Sequence, residues 1–168
     1  ADPDNALALT IDTLPPSIAI SSEASSLAAG ETASIAFSLS EPSTDFTFAD
    51  ITLSGGSLSA FSGSGSSYTA IFTPTANSTA NGVISVASSK FSDSAGNTNA
   101  DGLDPDNSLT LTIDTLPPSI SLSSDTSSLA AGETASIPFS LSEPSTDFSA
   151  SDISVSGGSL SGFSGSGS

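Results

Sequence analysis

The chain has 168 residues, enough for one or two domains of ordinary size, and carries a net charge of −17 with a single basic residue, Lys90. Phosphates and anionic lipids repel so acidic a protein, which excludes nucleic-acid binding. The absence of Cys, His, Trp and Met excludes disulfides, thiolate or imidazole zinc sites, and Ser–His or Cys–His dyads. No run approaches the roughly 18 apolar residues of a membrane span, so we expect no membrane insertion in this segment.

A long internal repeat organises the sequence. The segment Ile-Asp-Thr-Leu-Pro-Pro-Ser-Ile at 11–18 recurs at 113–120, an offset of 102 (113 − 11). With this offset residues 2–66 align with 104–168 without a gap, and roughly four in five are identical. A unit of this length is a domain rather than a solenoid repeat. We therefore predict the C-terminal strand of a preceding repeat at 1–12, a complete repeat at 13–114 and the N-terminal part of a truncated repeat at 115–168.

Short alternating segments predict that the repeat is all-β. Apolar residues occupy every second position from Ala33 to Leu39, which is the period of a half-buried strand. Clusters of Gly, Ser and Asn separate the segments and mark turns. Their number and spacing favour tandem immunoglobulin-like β-sandwich domains, joined by short Pro-containing linkers such as Leu14-Pro15-Pro16. The predicted strands lie at 17–21, 32–40, 50–54, 68–73, 82–88 and 108–114.

The segment 54–67 is rich in Ser and Gly and allows two interpretations. Its composition is that of a flexible linker. However, it lies inside the repeat and contains Leu58 and Phe61, so we favour a strand and turn packed on the core.

Within the complete repeat and the linker before it, most carboxylates belong to three segments that meet at one end of an immunoglobulin-like sandwich: the linker, the loop at 41–50 and the long loop at 89–107. Crowded carboxylates repel one another unless a cation neutralises them. Oxygen ligands on irregular loops suit Ca²⁺ better than the strict octahedron of Mg²⁺. A calcium ion bridging the linker to the two loops would fix it to the following domain. The candidate ligands are Asp12, Glu41, Asp45, Asp50, Asp93, Asn97 and Asp101.

The same residues have a second interpretation. Asp and Asn are common turn formers, and negative charge keeps a protein soluble. The segment Asp-Ser-Ala-Gly-Asn at 93–97 lacks the spacing of an EF-hand loop, so no single motif establishes a calcium site.

Four motifs resemble one known family. They are Ile-Asp-Thr-Leu-Pro-Pro at 11–16, Phe-Ser-Leu-Ser-Glu-Pro at 37–42, Ser-Gly-Gly-Ser-Leu at 54–58 and Asp-Ser-Ala-Gly-Asn at 93–97. Together they resemble the bacterial immunoglobulin-like (Big) tandem repeats of giant secreted surface adhesins of the biofilm and RTX types. The resemblance covers essentially the whole chain. It implies calcium at the junctions between domains, with ligands at Asp12, Glu41 and the acids of the long loop, and in the next repeat at Asp114 and Glu143.

The favoured function is that of stalk repeats in a bacterial cell-surface adhesin, rigidified by calcium and projecting a distal binding domain in cell adhesion or biofilm formation. The expected partners are neighbouring repeats of the same chain and calcium ions, and the expected form is an extracellular monomeric rod. We expect no enzymatic activity, because the acids lie on loops of a small sandwich without a cleft-forming insertion. The alternative is a ligand-binding module of the carbohydrate type, which would need exposed aromatic side chains such as Phe46, Phe48 or Phe91.

Overall fold

A computed structural model describes residues 7–101 and 104–168 of the chain. Its contacts divide the chain into two compact units, Ala1–Leu116 and Pro117–Ser168. The expected strand at 1–12 lies partly outside the described residues, and residues 7–12 are not in a strand.

One sheet of the first unit is antiparallel and has three strands, in the order β1 (Ile18–Ser22), β3 (Ala33–Ser43) and β5 (Gly56–Pro74). In the central strand β3, side chains from Ala33 to Leu39 alternate between the core and the surface, as the period-two pattern predicts.

The other sheet has four strands, in the order β2 (Ser26–Ala28), β7 (Ser108–Asp114), β6 (Gly82–Val86) and β4 (Ile51–Ser54). Its edge strand β2 runs parallel to β7, with Leu27 opposite Ile113, and the remaining pairs are antiparallel. The sequence pattern did not predict β2, because three residues are too few to show a period.

Apolar residues of both sheets meet in one core, so the first unit is a β-sandwich as predicted. Phe37 and Phe72 from the three-stranded sheet and Ile84 and Leu111 from the other are completely buried. Phe91, from the loop between β6 and β7, is also buried and stacks edge-on against another ring, Phe46, at 5.3 Å. The long loop is therefore anchored in the core.

The Ser/Gly-rich segment belongs to β5, which contains a reversal of direction. The N–H of Thr75 donates to the carbonyl of Gly55 at 2.9 Å, so the two ends of the strand lie side by side. At the reversal, Gly63 has a φ of +140°, and a Cβ there would lie 2.3 Å from the carbonyl oxygen of Ser67. Leu58 packs against the core, which confirms the strand-and-turn interpretation and not the flexible linker.

The second unit contains a two-stranded antiparallel sheet of β8 (Ile120–Leu122) and β9 (Phe139–Leu141) and a 3₁₀ turn at Ala150–Asp152. Most of its apolar side chains are exposed or half-buried.

Candidate metal centre

Three carboxylates converge at one end of the first unit. Asp12 precedes β1, Glu41 lies near the C-terminal end of β3, and Asp93 lies in the loop after β6. Each contributes a side-chain oxygen to a group in which all three atoms lie within 4.8 Å of one another. They come together because the end of β3 lies beside the long loop, where an antiparallel backbone bridge pairs Ser43 with Asp93.

Glu41 has an unusual position for a carboxylate. It continues the row of β3 side chains that face the core, following Phe37 and Leu39 at intervals of two. Its Oε1 atom is buried and has no hydrogen-bond partner. Burial and the negative charges of Asp12 and Asp93 together raise the pKa of Glu41. A buried carboxylate oxygen without a partner beside two other acids is a strained arrangement that a cation would relieve.

Asp93 is held in place as an anion. Its Oδ1 accepts hydrogen bonds from the N–H groups of Ala95 and Asn97, both at 2.9 Å, and its Oδ2 accepts one from Nδ2 of Asn97 at 2.8 Å. Burial alone would raise the pKa of Asp93, but hydrogen bonds from Asn97, Ala95 and Gly96 outweigh it and lower the pKa. The loop therefore presents an oriented carboxylate to the other two acids.

The segment before β1 is attached to the same loop. Nδ2 of Asn97 donates to the carbonyl of Asp12 at 3.3 Å. Further along, the N–H of Ala100 donates to the carbonyl of Pro16 at 3.1 Å, and Pro16 is buried. The N–H of Ile18 donates to Oδ1 of Asp101 at 2.6 Å. These bonds place Asn97 beside the carboxylate cluster as a donor, and Asp101 at the start of β1.

Asp45 and Asp50 have other partners. Asp45 accepts hydrogen bonds from the backbone N–H of Ser92 at 2.8 Å, its hydroxyl at 2.5 Å and the hydroxyl of Ser43 at 2.7 Å. Hydrogen bonds from Ser92, and then from Ser43, lower the pKa of Asp45. Asp50 accepts from the N–H and the hydroxyl of Thr47 at 2.8 and 2.9 Å, which caps a short 3₁₀ turn. Both acids order the loop after β3 and lie outside the three-carboxylate group.

The remaining two predicted ligands belong to the next repeat by sequence. Asp114 is exposed at the end of β7 and accepts a hydrogen bond from the N–H of Leu116 at 3.4 Å. Glu143 is half-buried in the second unit. Among the described residues neither belongs to a group of three acids close enough to hold a metal.

A comparison with models of protein families shows which family the chain belongs to. The model described as "Bacterial Ig-like domain" matches residues 12–113 and again 114–168, nearly the whole chain. The chain belongs to the bacterial Ig-like domain family. No curated protein and no solved structure shows a significant match to it.

Bacterial Ig-like domains are typically structural modules without enzymatic activity and are commonly found on extracellular surfaces. None of the helices that the structure describes in this chain has the length and apolar character needed to cross a membrane.

The aromatic side chains expected for a carbohydrate platform serve mainly as core in this bacterial Ig-like chain. Phe46 and Phe91 are buried, whereas Phe48 is 46 % exposed. Of these three rings only Phe48 is exposed, and the second copy has Ala150 in its place.

The structural roles of two side chains could not be predicted from the sequence. Asn99 is buried and connects two parts of the long loop. Its Oδ1 accepts a hydrogen bond from the N–H of Lys90 at 2.6 Å, and its Nδ2 donates one to Asp101 at 2.8 Å. Thr115 is buried at the other end of the unit, where its hydroxyl donates to the carbonyl of Thr75 at 2.7 Å. Neither role has a signal in the local sequence pattern, because hydrogen bonds that only the folded chain forms define both.

Proposed function

We propose that the chain is part of a stalk in a bacterial cell-surface adhesin, and that Ca²⁺ bound at the end of each domain fixes the preceding linker. The observation that carries this proposal is the buried, unpaired Oε1 of Glu41 beside the carboxylates of Asp12 and Asp93. Membership of a family of structural surface modules supports the stalk role.

The donor set suits calcium. Asp12, Glu41 and Asp93 would hold the ion, and all offer hard oxygen atoms on segments of irregular backbone or at a strand end. Ca²⁺ prefers such oxygens and accepts varied geometry, completing its shell of 6 to 8 ligands with backbone carbonyls and water. When bound, the ion supplies positive charge that removes the repulsion among the three acids.

The position of Asp12 explains how binding would stiffen the stalk. The chain is already held at Pro16 and Ile18 by hydrogen bonds to the long loop. A strong attachment at Asp12 would leave only residues 13–15 between two fixed points, and two of the linker positions at 14–16 are prolines with fixed φ. In a tandem array the same arrangement would recur with Asp114 and Glu143 in the positions of Asp12 and Glu41.

Composition supports prolonged exposure outside the cell. The chain offers trypsin one cleavage site, at Lys90, and has no thiol or thioether to oxidise. Its net charge of −17 favours solubility but strains the folded state, and bound cations would relieve that strain.

Thermal unfolding of the full chain with Ca²⁺, with Mg²⁺ and with chelator tests the site. A ligand at a hundredfold excess over its Kd adds about 2.7 kcal/mol to the free energy of unfolding. For a domain of this size we expect the melting temperature to rise by at least about 10 °C with Ca²⁺ and far less with Mg²⁺. Equal shifts with both ions, or with NaCl of the same ionic strength, would contradict a calcium site.

The variant Glu41→Gln gives a sharper result because its effect should change sign. With chelator the variant should melt above the wild-type chain, since it removes a carboxylate that burial and two acids destabilise. With Ca²⁺ it should melt below the wild type, since it lacks a ligand. Glu23→Gln, at an exposed position away from the cluster, is the matched control and should behave like the wild type in both conditions. An effect of Glu41→Gln that keeps one sign in both buffers would contradict the proposal.

Without calcium, acidity should also stabilise the wild-type chain. The pKa of Glu41 is raised on folding, so its unfavourable charge is removed as the pH falls through that pKa. We therefore expect the unfolding free energy in chelator to rise relative to Glu41→Gln as the pH is lowered from 7 towards 4.5, the unfolded value. Urea titrations of the two chains across this range measure the difference.

A further inference from the structure

A buried threonine lies where the chain leaves the first unit. Thr115 directly follows β7 and is 5 % exposed, whereas its neighbours Asp114 and Leu116 are both exposed. The linker therefore begins with a polar side chain that is directed into the domain. A buried hydroxyl without a hydrogen-bond partner destabilises a fold, so the partners of this one indicate its role.

Thr115 is hydrogen-bonded to the loop between β5 and β6. Its N–H donates to the carbonyl of Ser78 at 2.9 Å, and its hydroxyl donates to the carbonyl of Thr75 at 2.7 Å, with the carbonyl of Ser78 as a second acceptor at 3.1 Å. In return the N–H of Ser78 donates to the hydroxyl oxygen of Thr115 at 3.0 Å. The side chain thus acts as donor and acceptor at once, which a hydroxyl can do and a methyl group cannot. We call these hydrogen bonds of Thr115 the exit clamp.

The loop that receives Thr115 is itself attached to the sandwich. The N–H of Thr75 donates to the carbonyl of Gly55 at 2.9 Å, and Gly55 connects β4 with β5, one strand from each sheet. Within the loop, the N–H of Ala80 donates to the hydroxyl of Ser78 at 3.1 Å. Hydrogen bonds therefore run from the start of the linker to a point that belongs to both sheets.

The chain that enters the first unit is held at a different position of the same linker motif. There the carbonyl of Pro16 accepts a hydrogen bond from the N–H of Ala100 at 3.1 Å. In the linker that follows the first unit, the counterpart of Pro16 is Pro118. When a complete domain holds that proline in the same way, only Leu116 and Pro117 lie between two fixed points. Proline has a fixed φ, and the residue before a proline is restricted to extended conformations.

We propose that Thr115 is a positioning residue, which fixes the direction in which the linker leaves the domain and confines the hinge to Leu116 and Pro117. Its use as a stiffening device rests on the proposed stalk function. The exit clamp differs from the calcium site in place and in chemistry, because it holds the chain that leaves a domain and involves no carboxylate. It should therefore hold the linker in the presence of chelator.

Amide relaxation of the full chain in chelator tests the exit clamp. In the wild type we expect an order parameter of about 0.85 at residue 115, as in rigid backbone. Thr115→Val keeps a similar shape but leaves the N–H of Ser78 and the carbonyl of Thr75 without their side-chain partner. Water should replace that partner, so the order parameter of residue 115 should fall below about 0.6 and that of Leu116 should fall with it. Order parameters in β6 and β7 should stay unchanged, which shows that the variant is folded.

Two further variants separate the hydrogen bonds from other effects of the substitution. Thr115→Ser keeps the hydroxyl and loses only the methyl group, so it should be as ordered as the wild type. Thr112→Val makes the same change at an exposed position of β7 and should alter neither residue 115 nor Leu116. Hydrogen exchange gives an independent measure, since the amide of Ser78 should exchange about tenfold faster in Thr115→Val and at the wild-type rate in Thr112→Val.

Three results would overturn the proposal. One is a wild-type chain that is already mobile at residue 115. Another is faster exchange at Ser78 in Thr115→Val with unchanged order at residues 115 and 116, which would show that the hydroxyl stabilises the loop without holding the linker. The third is a Thr115→Ser chain as mobile as Thr115→Val, which would assign the effect to the methyl group. Because all of these measurements are made in chelator, their outcome does not depend on whether the calcium site exists.

Discussion

Residues 13–66 and 115–168 have nearly the same sequence, yet only the first of these segments lies in a closed core. Ile35 is completely buried, whereas its counterpart Ile137 is 37 % exposed. The first segment is covered by the second half of β5 and by β6 and β7, which come from residues 67–114. Burial in this fold is therefore supplied by partners distant in sequence, even where the local sequence is repeated.

Local geometry, by contrast, is the same in both segments. The rings of Phe37 and Phe61 are 6.1 Å apart, and their counterparts Phe139 and Phe163 are also 6.1 Å apart. Phe46 packs against the first pair of rings and also contacts Tyr68 and the buried Phe91. Among the described residues, no ring covers the second pair as Tyr68 and Phe91 cover the first. The half-repeat thus forms its own turns and aromatic contacts, but it does not exclude water from them.

The largest expected effect comes from truncating two equivalent core rings, one in each segment. Phe37→Ala should lower the unfolding free energy of the first unit by about 3–5 kcal/mol, because it empties a fully buried ring position. Phe139→Ala removes the equivalent ring from an open core and should leave that transition unchanged. Urea unfolding followed by the fluorescence of the single Tyr68 reports on the first unit. A Phe37→Ala chain that unfolds with the free energy of the wild type would contradict the closed core around this ring.

A smaller effect is expected at the start of β1. Pro16 is buried where Asp101 accepts the N–H of Ile18, and its counterpart Pro118 is exposed. Asp101→Ala should cost about 2–3 kcal/mol, since it leaves two donors without their partner. Asp104→Asn, at an exposed position of the same loop, is the control. Calorimetry would contradict this role if both variants melted together.

The smallest effect distinguishes two equivalent acids. Asp45 accepts three hydrogen bonds from Ser43 and Ser92, whereas Asp147 accepts one from Ser145 at 2.6 Å. Asp45→Asn should lower stability by about 1 kcal/mol at pH 7, and Asp147→Asn should not change the first unit.

The pH dependence of Asp45→Asn provides a check on its cause. Hydrogen bonds from Ser92 lower the pKa of Asp45 on folding, so its contribution is present above the unfolded value of 3.8 and is lost as the pH falls through the folded value. The difference between wild type and variant should therefore shrink in acid. A difference that stays constant from pH 7 into acid would exclude the ionised carboxylate as the source.

Much of the architecture could be predicted from local sequence patterns. The period of two in β3 and the turn clusters predicted the β-sandwich, and the bounds of β7 were predicted to the residue. The strand β2 was missed, since its three residues are defined by pairing with a strand more than 80 positions away.

The candidate site was predictable as a region but not as a set of ligands. Sequence placed the acids at one end of the sandwich, and the structure brings together Asp12, Glu41 and Asp93. One signal for Glu41 was present in the sequence, because it continues the core-facing row of β3 by two positions. The roles of Asp45 and Asp101 could not be predicted, because their donors come from other segments that only the folded chain brings close.

We propose that calcium fixes the linker, and amide relaxation of residues 13 and 14 measures whether it does. Heteronuclear NOE measurements report motion on the picosecond to nanosecond timescale. We expect low values for Thr13 and Leu14 in chelator and values equal to those of β3 when Ca²⁺ is bound, and we expect Asp93→Asn to prevent the change. Binding of Ca²⁺ seen at the amides of Asp93 and Asn97, with Thr13 and Leu14 as mobile as before, would contradict it.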